Sequence, residues 1–224
     1  MVKYRSPLLP LGFLRAKPRS EMLAHLRTPR ELRRMLKDAL AATGSTGCSI
    51  WELQQLRRSL LHERPRHAVE LGSGVSTLVL AFAVRELQQQ GHECRFVSLE
   101  QSAEYQNDML QWFPKDLAPF VRFVLSPAGS SDFPDGRRGF RYSYLPDEAY
   151  EWVFVDGPQL PRKDPMLFDA DAIDIARHGQ RMVIHVDGRE STVERLVERL
   201  RPAHIERFPI HSWTTMRVDG RQAR

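Results

Sequence analysis

The stretch "HAVELGSGVSTLVLA", residues 67–81, decides the fold of this chain. A short apolar run ends in Gly72 and Gly74, and a second apolar run with helical spacing begins directly after them. This pattern predicts a β-strand, a tight turn and an α-helix. Glycines at such a turn remove side chains where the backbone would approach a ligand, and the first turn of the helix offers free N–H groups. An ordinary tight turn uses the same residues, so the rest of the sequence must separate the two interpretations.

The alternation of strand and helix continues towards the C-terminus. Further strands and helices are predicted in turn at 94–100, 102–113, 120–126, 150–156, 165–178, 180–187 and 189–202, and two closing strands at 203–210 and 212–219. Such alternation favours right-handed crossovers and a parallel sheet with helices on both faces. The short connection between the last two strands requires antiparallel neighbours. We therefore predict an α/β, Rossmann-like, doubly wound sheet of seven strands, mainly parallel, with one antiparallel strand near the C-terminus.

The residues before this alternation form a separate region. The patterns predict an extended segment and two helices, at 1–27, 29–42 and 50–62. Ser49 and Glu52 have the spacing of a capping box at the start of the second helix. We divide the chain into an N-terminal arm and helix over residues 1–48 and a main domain over residues 49–220.

The composition is that of an ordinary globular protein. Of 224 residues, 42% are hydrophobic and 27% are charged. No apolar run approaches the roughly 20 residues that span a bilayer. The basic N-terminus is interrupted by prolines and lacks a small-residue cleavage site, and Cys48 and Cys94 are too few for a disulfide framework. We therefore expect a cytoplasmic protein with no membrane partner.

The net charge of +5 raises the question of a nucleic-acid partner. Many basic residues alternate with acidic ones on a predicted helix face, as in "VERLVERLR" at 193–201, a pattern typical of an ion-paired surface. Only "RELRRMLK" at 30–37 concentrates positive charge. Because neither a stacking-aromatic module nor a helix-turn-helix signature accompanies this charge, we do not expect nucleic acid as a partner.

A carboxylate, Glu100, ends the second predicted strand of the main domain. At this edge of a parallel sheet a carboxylate can accept hydrogen bonds from both hydroxyls of a ribose, although a charged strand end is also common without a ligand. The full dinucleotide fingerprint would place glycine or alanine at the position of Thr77. This difference disfavours NAD, and therefore an oxidoreductase, and favours a nucleoside with a smaller zwitterionic arm, as in S-adenosylmethionine.

Four segments, "VELGSGVST", "VSLEQ", "WVFVDGP" and "GQRMVIHVD", resemble the class I S-adenosylmethionine-dependent methyltransferases in order and spacing. The resemblance covers residues 67–218 and extends to small O-methyltransferase-like members with a G-x-S-T motif after the first strand and F-[IV]-D-G ending the fourth. It implies S-adenosylmethionine as cofactor. The cofactor-binding residues that it implies are Glu70, Gly72, Ser73, Gly74, Ser76, Thr77, Glu100, Gln101, Ala128 and Asp156, with Gly129 and Asp132 competing with Ala128 for the adenine.

Three polar side chains are predicted to meet at the same edge as candidate catalytic residues. Asp156 and Asp187 end neighbouring strands, and His185 shares the sheet face of Asp187 by strand periodicity. Asp156 and Asp187 could hold a divalent cation such as Mg²⁺ that acidifies a substrate hydroxyl, or His185 or Asp156 could act as a metal-free base. Gly188 stands where metal-dependent relatives carry asparagine, which weakens the metal interpretation. An interior histidine and a helix-capping aspartate are the structural alternatives for His185 and Asp187.

The irregular stretch 127–149 leaves a predicted strand on the ligand side and is a candidate lid. Arg138, Arg141, Tyr142 and Tyr144 are its candidates for holding an anionic or aromatic substrate, unless the stretch is simply a solvated loop. The sequence thus predicts O-methylation of a small-molecule or carbohydrate-like acceptor. A non-catalytic protein of the same fold that binds a nucleoside or a protein partner is the alternative, and a homodimer is left open.

Overall fold

A computed structural model describes residues 11–43, 47–160, 167–176 and 181–219, with side chains from residue 17 onward. The helices are α1 (Leu11–Arg27), α2 (Arg30–Thr43), α3 (Ile50–Glu63), α4 (Val75–Gln89), α5 (Ala103–Trp112), α6 (Asp171–Ala176) and α7 (Glu190–Leu200). The strands are β1 (His67–Leu71), β2 (Arg95–Glu100), β3 (Arg122–Leu125), β4 (Ala128–Asp132), β5 (Arg138–Tyr142), β6 (Trp152–Val155), β7 (Phe168–Asp169), β8 (Met182–Asp187), β9 (His204–Phe208) and β10 (Trp213–Val218). The predicted segments outside the described residues are 1–10, 165–166, 177–178 and 180.

Within the described residues, the main sheet has seven strands in the order β3-β2-β1-β6-β8-β10-β9. Neighbouring strands are parallel except around β10, which is antiparallel to both β8 and β9. This arrangement confirms the predicted α/β fold. The direction of strand succession reverses between β1 and β6, and a crevice for a ligand is expected at the carboxyl end of the strands there.

The register of the central strands brings four predicted site residues to one edge. The last residues of β1, β2, β6 and β8 that pair with one another are level across the sheet. One residue further along each strand lie Gly72, Glu100, Asp156 and Asp187. Because neighbouring strands are about 4.8 Å apart, these four positions form one continuous row at the sheet edge.

Apolar side chains cover both faces of the main sheet. One core lies between the sheet and helices α2, α3 and α4, and the other lies between the sheet and helices α6 and α7. Helix α4 is buried along most of its length, which explains why its sequence is apolar on nearly all sides.

The N-terminal region differs from its prediction. Residues 11–27, which we expected to be extended, form α1. Helix α1 contacts α3, and the Glu21 carboxylate accepts a hydrogen bond from the backbone N–H of Trp51 at 3.0 Å. Such contacts between distant segments stabilise α1, a helix that its own sequence pattern does not predict. The division of the chain at residues 48 and 49 stays a prediction.

The capping box at the start of α3 is confirmed. The Ser49 hydroxyl accepts a hydrogen bond from the backbone N–H of Glu52 at 3.3 Å, and the Glu52 carboxylate accepts one from the backbone N–H of Ser49 at 2.5 Å. This local signal fixes where α3 begins, and it holds the Glu52 side chain at the helix N-terminus.

The stretch 127–149, predicted to be irregular, contains two of the three strands of a second sheet. Strands β4 and β5 form an antiparallel hairpin, and β5 also pairs in parallel with β7. Strand β7 occupies Phe168–Asp169, within the helix predicted at 165–178, so the helix starts later, at Asp171. The hairpin is rich in glycine, serine and arginine, which have little β-propensity, so pairing with a distant strand rather than local pattern defines it.

Candidate functional site

Two adjoining cavities form a cleft at the carboxyl edge of the sheet. The larger has a volume of about 330 Å³ and is lined by Gly72, Ser73, Glu100, Gln101, Ser102, Tyr105, Tyr142, Asp156, Gly157, Pro158 and Gln159. The smaller, of about 160 Å³, is lined by Thr43, Gly47, Cys48, Ser73, Gly74, Val75, Ser76, Tyr105 and Asp156. They share Ser73, Tyr105 and Asp156. An open groove of about 940 Å³ at the opposite end of the strands contains none of the predicted site residues.

The glycine turn after β1 touches the loop after β6. Gly72 has a φ of +98°, in the region that favours glycine, and a Cβ atom there would lie 2.6 Å from the backbone nitrogen of Gly157. A Cβ atom on Gly157 would lie 2.5 Å from the Gly72 Cα atom. The two glycines therefore allow the two loops to contact each other through their backbones. Both glycines line the larger cavity, so this contact forms part of its wall.

Glu70 is fully buried beneath the turn and supports it from below. Its carboxylate accepts hydrogen bonds from the hydroxyls of Thr77 at 2.6 Å and Ser98 at 2.7 Å. The Thr77 hydroxyl also accepts a hydrogen bond from the backbone N–H of Gly74 at 2.9 Å. Burial raises the pKa of Glu70 to about 7, although these hydroxyls, with that of Ser76, oppose the shift. Glu70 and Thr77 line neither cavity, whereas Ser76 lines the smaller one.

Glu100 lies where a ribose-binding carboxylate would be expected. Its side chain lines the larger cavity and accepts a hydrogen bond from the backbone N–H of Ser102 at 2.8 Å. Burial raises the pKa of Glu100, and hydrogen bonds from backbone N–H groups, including that of Gln101, oppose the shift. The Gln101 side chain, also in the cavity wall, accepts a hydrogen bond from the backbone N–H of Gln159 at 3.1 Å. The ligand roles of Glu100 and Gln101 stay predictions.

The two aspartates form an acidic pair beside the cleft: Asp156 lines both cavities, whereas Asp187 lines neither and lies behind Cys48, which lines the smaller one. Burial raises the pKa of Asp156 to about 6. Burial, together with the negative charges of Asp156 and Glu52, raises the pKa of Asp187 to about 7. The Cys48 thiol lies 3.8 Å from a carboxylate oxygen of Asp187 and donates to it. Both aspartates therefore have proton affinities suited to acid–base chemistry near neutral pH.

The predicted Mg²⁺ site is not supported by this geometry. Among the described residues, the metal-ligating atoms that cluster here within 4.8 Å of one another belong to Cys48, Glu52 and Asp187, and Asp156 is not among them. Mg²⁺ prefers oxygen ligands in octahedral geometry, and a cysteine thiolate is a ligand for softer metals. The pairing of Asp156 with Asp187 as Mg²⁺ ligands has no further support here.

His185 does not join the two aspartates. Its ring is buried beneath α3, where it is hydrogen-bonded to the hydroxyls of Ser59 at 2.7 Å and Thr215 at 3.0 Å and packs against Trp213. Burial lowers the pKa of His185 to about 3, and the residue lines neither cavity of the cleft. Strand periodicity gave the correct sheet face, but two residues correspond to about 6.6 Å behind the sheet edge, and α3 covers that position.

The hairpin contributes Tyr142 to the cleft, but not the predicted cofactor residue Ala128. Ala128 begins β4, outside the lining of both cavities, and its alternatives Gly129 and Asp132 are exposed on the same strand. Of the predicted lid residues, Tyr142 lines the larger cavity. The others do not: Arg138 is exposed, Arg141 pairs with Asp174 at 3.1 Å, and Tyr144 is 54% exposed.

Arg189 anchors the loop after β6 beside the cleft, a role that the sequence did not reveal. Its guanidinium donates hydrogen bonds to the carbonyl oxygens of Asp156 and Pro158, and to the buried Asp169 carboxylate at 3.0 Å. It thereby fixes the loop after β6 against β7. Because Asp169 lies in a two-residue strand inside a predicted helix, no local pattern pointed to this pair.

No protein-family model matches the sequence, and no curated protein is similar to it in sequence. The SAH-bound methyltransferase PaMTH1 of Podospora anserina is similar with a TM-score of 0.59 and 12% identity, over 97% of this chain and 99% of that one. The O-methyltransferase from Bacillus cereus, solved in complex with SAH, has a TM-score of 0.55 and 15% identity, over 89% and 96% of the two chains. The chain has the fold of these methyltransferases.

The methyltransferase fold extends beyond the segment in which the sequence motifs were found. A methyltransferase from Geobacter sulfurreducens matches 89% of this chain and 97% of its own, with a TM-score of 0.54 and 11% identity. The match with the Podospora protein, at 97% of this chain, takes in helices before residue 67 as well. No helix among the described residues is both long and apolar enough to cross a bilayer.

Proposed function

We propose that this chain is an S-adenosylmethionine-dependent methyltransferase that methylates an oxygen atom of a small-molecule or carbohydrate-like acceptor. The observation that carries the proposal is the position of Glu100 beside the Gly72–Ser73 backbone in one cleft, at the point where strand order reverses. The fold shared with SAH-bound methyltransferases supports the same conclusion.

The polar groups of the cleft fit the two halves of this cofactor. In the larger cavity, Glu100 offers a carboxylate to the ribose hydroxyls. The smaller cavity contains the N-terminus of α4 at Val75 and Ser76, where free N–H groups and the helix dipole favour a carboxylate. Asp156, shared by both cavities, places a negative charge where the cofactor is cationic. We therefore assign the adenosine to the larger cavity and the amino acid to the smaller.

The chain's own contribution to methyl transfer is to orient the acceptor and to receive its proton. When bound, S-adenosylmethionine supplies an electrophilic methyl group for in-line displacement. Asp187, whose pKa is raised to about 7, is the proposed base for the acceptor hydroxyl, since a base is most effective when its pKa is near the working pH. Asp156 lies level with it on the neighbouring strand and is the second candidate.

Binding of S-adenosylhomocysteine (SAH), measured by calorimetry, tests the cofactor assignment. We expect micromolar binding by the wild type. Charged hydrogen bonds contribute about 1.5–3 kcal/mol, so Glu100→Gln should weaken SAH binding by about 10- to 150-fold. Glu104→Gln, an exposed carboxylate on the neighbouring helix, is the matched control and should leave the affinity unchanged. Absence of binding by the wild type would overturn the proposal.

Methyl transfer itself separates the enzyme from a non-catalytic protein of this fold. We expect transfer of a labelled methyl group to a pool of hydroxylated small molecules by the wild type, and its loss in Asp187→Asn at unchanged SAH affinity. The non-catalytic alternative predicts a protein that binds SAH, methylates no acceptor in the pool and has the same SAH affinity after Asp156→Ala.

A further inference from the structure

The Tyr142 phenol is a buried polar group that has no hydrogen-bond partner among the residues the structure describes. Tyr142 is 4% exposed, and within those residues its hydroxyl makes no hydrogen bond. By contrast, the hydroxyl of the buried Tyr150 donates to the Pro146 carbonyl at 3.0 Å. Buried polar atoms are almost always paired, because an unpaired one has lost its hydrogen bonds to water without replacing them. In the free protein, phenylalanine at this position would be at least as stable as tyrosine, so the hydroxyl points to a role in binding a ligand.

Tyr142 lines the larger cavity, and its hydroxyl lies beside the loop after β6. The residue ends β5, and its backbone N–H donates to the Asp171 carboxylate at 3.1 Å. Its ring packs in the core beneath the sheet. The hydroxyl approaches the loop after β6 so closely that a Cβ atom on Gly157 would lie 2.7 Å from it. The oxygen is therefore placed by the fold and does not swing freely.

Tyr142 offers a hydrogen-bond donor in the wall of the larger cavity. Burial raises the pKa of Tyr142 far above its ordinary value, and the negative charge of Glu100 adds to the shift, so the phenol keeps its proton. The Glu100 and Asp156 carboxylates in the same wall are acceptors when ionised. A ligand that satisfies this wall must accept a hydrogen bond from the phenol and donate one to a carboxylate. A ribose hydroxyl does both.

We propose that Tyr142 binds the adenosine half of the cofactor. Its phenol donates a hydrogen bond to a ribose hydroxyl, and that hydroxyl in turn donates a hydrogen bond to Glu100. The assignment rests on the proposed function and deepens it: Tyr142 belongs to the nucleoside rather than to the acceptor, where the sequence had placed it. It also makes the cleft selective for ribonucleosides, because a ligand without that hydroxyl would leave the phenol unpaired and would remove one hydrogen-bond donor from Glu100.

Tyr142→Phe removes the hydroxyl and keeps the ring. We expect SAH binding to weaken by about tenfold, which corresponds to about 1.4 kcal/mol. The melting temperature of the free variant should equal or exceed that of the wild type, because an unpaired buried polar group has been removed. Tyr144→Phe, two residues away and on an exposed side chain, should change neither quantity. A structural role for the hydroxyl would instead lower the melting temperature of the free protein.

Ligand fragments locate the contact. 5′-Methylthioadenosine lacks the amino acid, and Tyr142→Phe should weaken its binding by the same factor as that of SAH. The 2′-deoxy and 3′-deoxy forms of SAH should both bind the wild type more weakly than SAH does, because each lacks a hydroxyl that donates to Glu100. For one of the two forms, this loss of affinity should be smaller in Tyr142→Phe. Equal SAH affinities of the wild type and Tyr142→Phe would overturn the inference and leave the proposed function in place. Absence of SAH binding by the wild type would overturn the proposed function itself.

Discussion

Replacing Gly157 by alanine tests the contact on which the geometry of the cleft depends. The new Cβ atom would lie 2.5 Å from the Cα atom and 2.7 Å from the backbone nitrogen of Gly72. Carbon atoms in contact are ordinarily about 3.5–4.0 Å apart, so the two loops would have to separate by roughly 1 Å. Both atoms belong to backbone, and no side-chain rotation can relieve the overlap.

The expected cost of Gly157→Ala is at the upper end of overpacking effects. Overpacked sites lose about 1–3 kcal/mol, and a backbone–backbone overlap should cost about 3 kcal/mol. For a protein of this size, each kcal/mol lowers the melting temperature by about 2–4 °C, which gives a decrease of about 6–12 °C. Because Asp156 precedes the substituted residue and Gly72 lines the same cavity, SAH affinity should also fall by about tenfold or more.

Thermal unfolding monitored by circular dichroism and calorimetry with SAH measure the two effects. The matched control is Gly129→Ala on β4, where a Cβ atom would have no atom of the described residues within 4 Å. We expect this control to stay within about 0.5 kcal/mol of the wild type. If Gly157→Ala melts at the temperature of the control and binds SAH as well as the wild type does, the loops after β1 and β6 are not in the described contact.

Two further predictions concern residues whose environments differ most from expectation. His185→Ala should lower the free energy of unfolding by about 2–4 kcal/mol, because it leaves a cavity and unpaired hydroxyls. The SAH affinity should not change. Weaker SAH binding at unchanged stability would instead indicate that His185 contributes to ligand binding. The pKa of Asp187 is raised on folding to about 7, so the folded state binds the proton more tightly and the residue's stabilising contribution is lost as the pH rises through 7. Between about pH 4 and 7.5, Asp187→Asn should therefore lose less stability than the wild type, and identical melting-temperature profiles would contradict the shift.

The sequence predicted those features that depend on local pattern and parallel-strand geometry. The alternation of strand and helix defined the sheet, and parallel strands bring their carboxyl ends to one edge, so Gly72, Glu100, Asp156 and Asp187 were placed together correctly. Thr77 was correctly expected at the helix start, but its hydroxyl supports a buried carboxylate there and does not face the cleft.

The remaining features depend on contacts between distant segments. His185 lies outside the cleft because α3 covers its part of the sheet. Strand periodicity predicts the sheet face of a residue, but not how much of that face a helix covers. Tyr142 reaches the cleft because a hairpin of low β-propensity pairs with a two-residue strand beyond β6. Arg189 holds the loop after β6 through its contact with the buried Asp169, a residue distant from it in sequence. In each case tertiary packing, rather than local preference, determined the position.

The N-terminal region contributes to the cleft as well as to the fold. Thr43, Gly47 and Cys48 lie in the wall of the smaller cavity, so the cleft draws residues from both sides of the predicted division at 48 and 49. The capping box holds Glu52 at the start of α3, and the Glu52 charge contributes to the raised pKa of Asp187. A helix-capping signal that can be recognised from four residues of sequence therefore also adjusts the proton affinity of the proposed base. Its effect on Asp187 follows from the position of α3 across the carboxyl edge of β8, which only the folded chain defines.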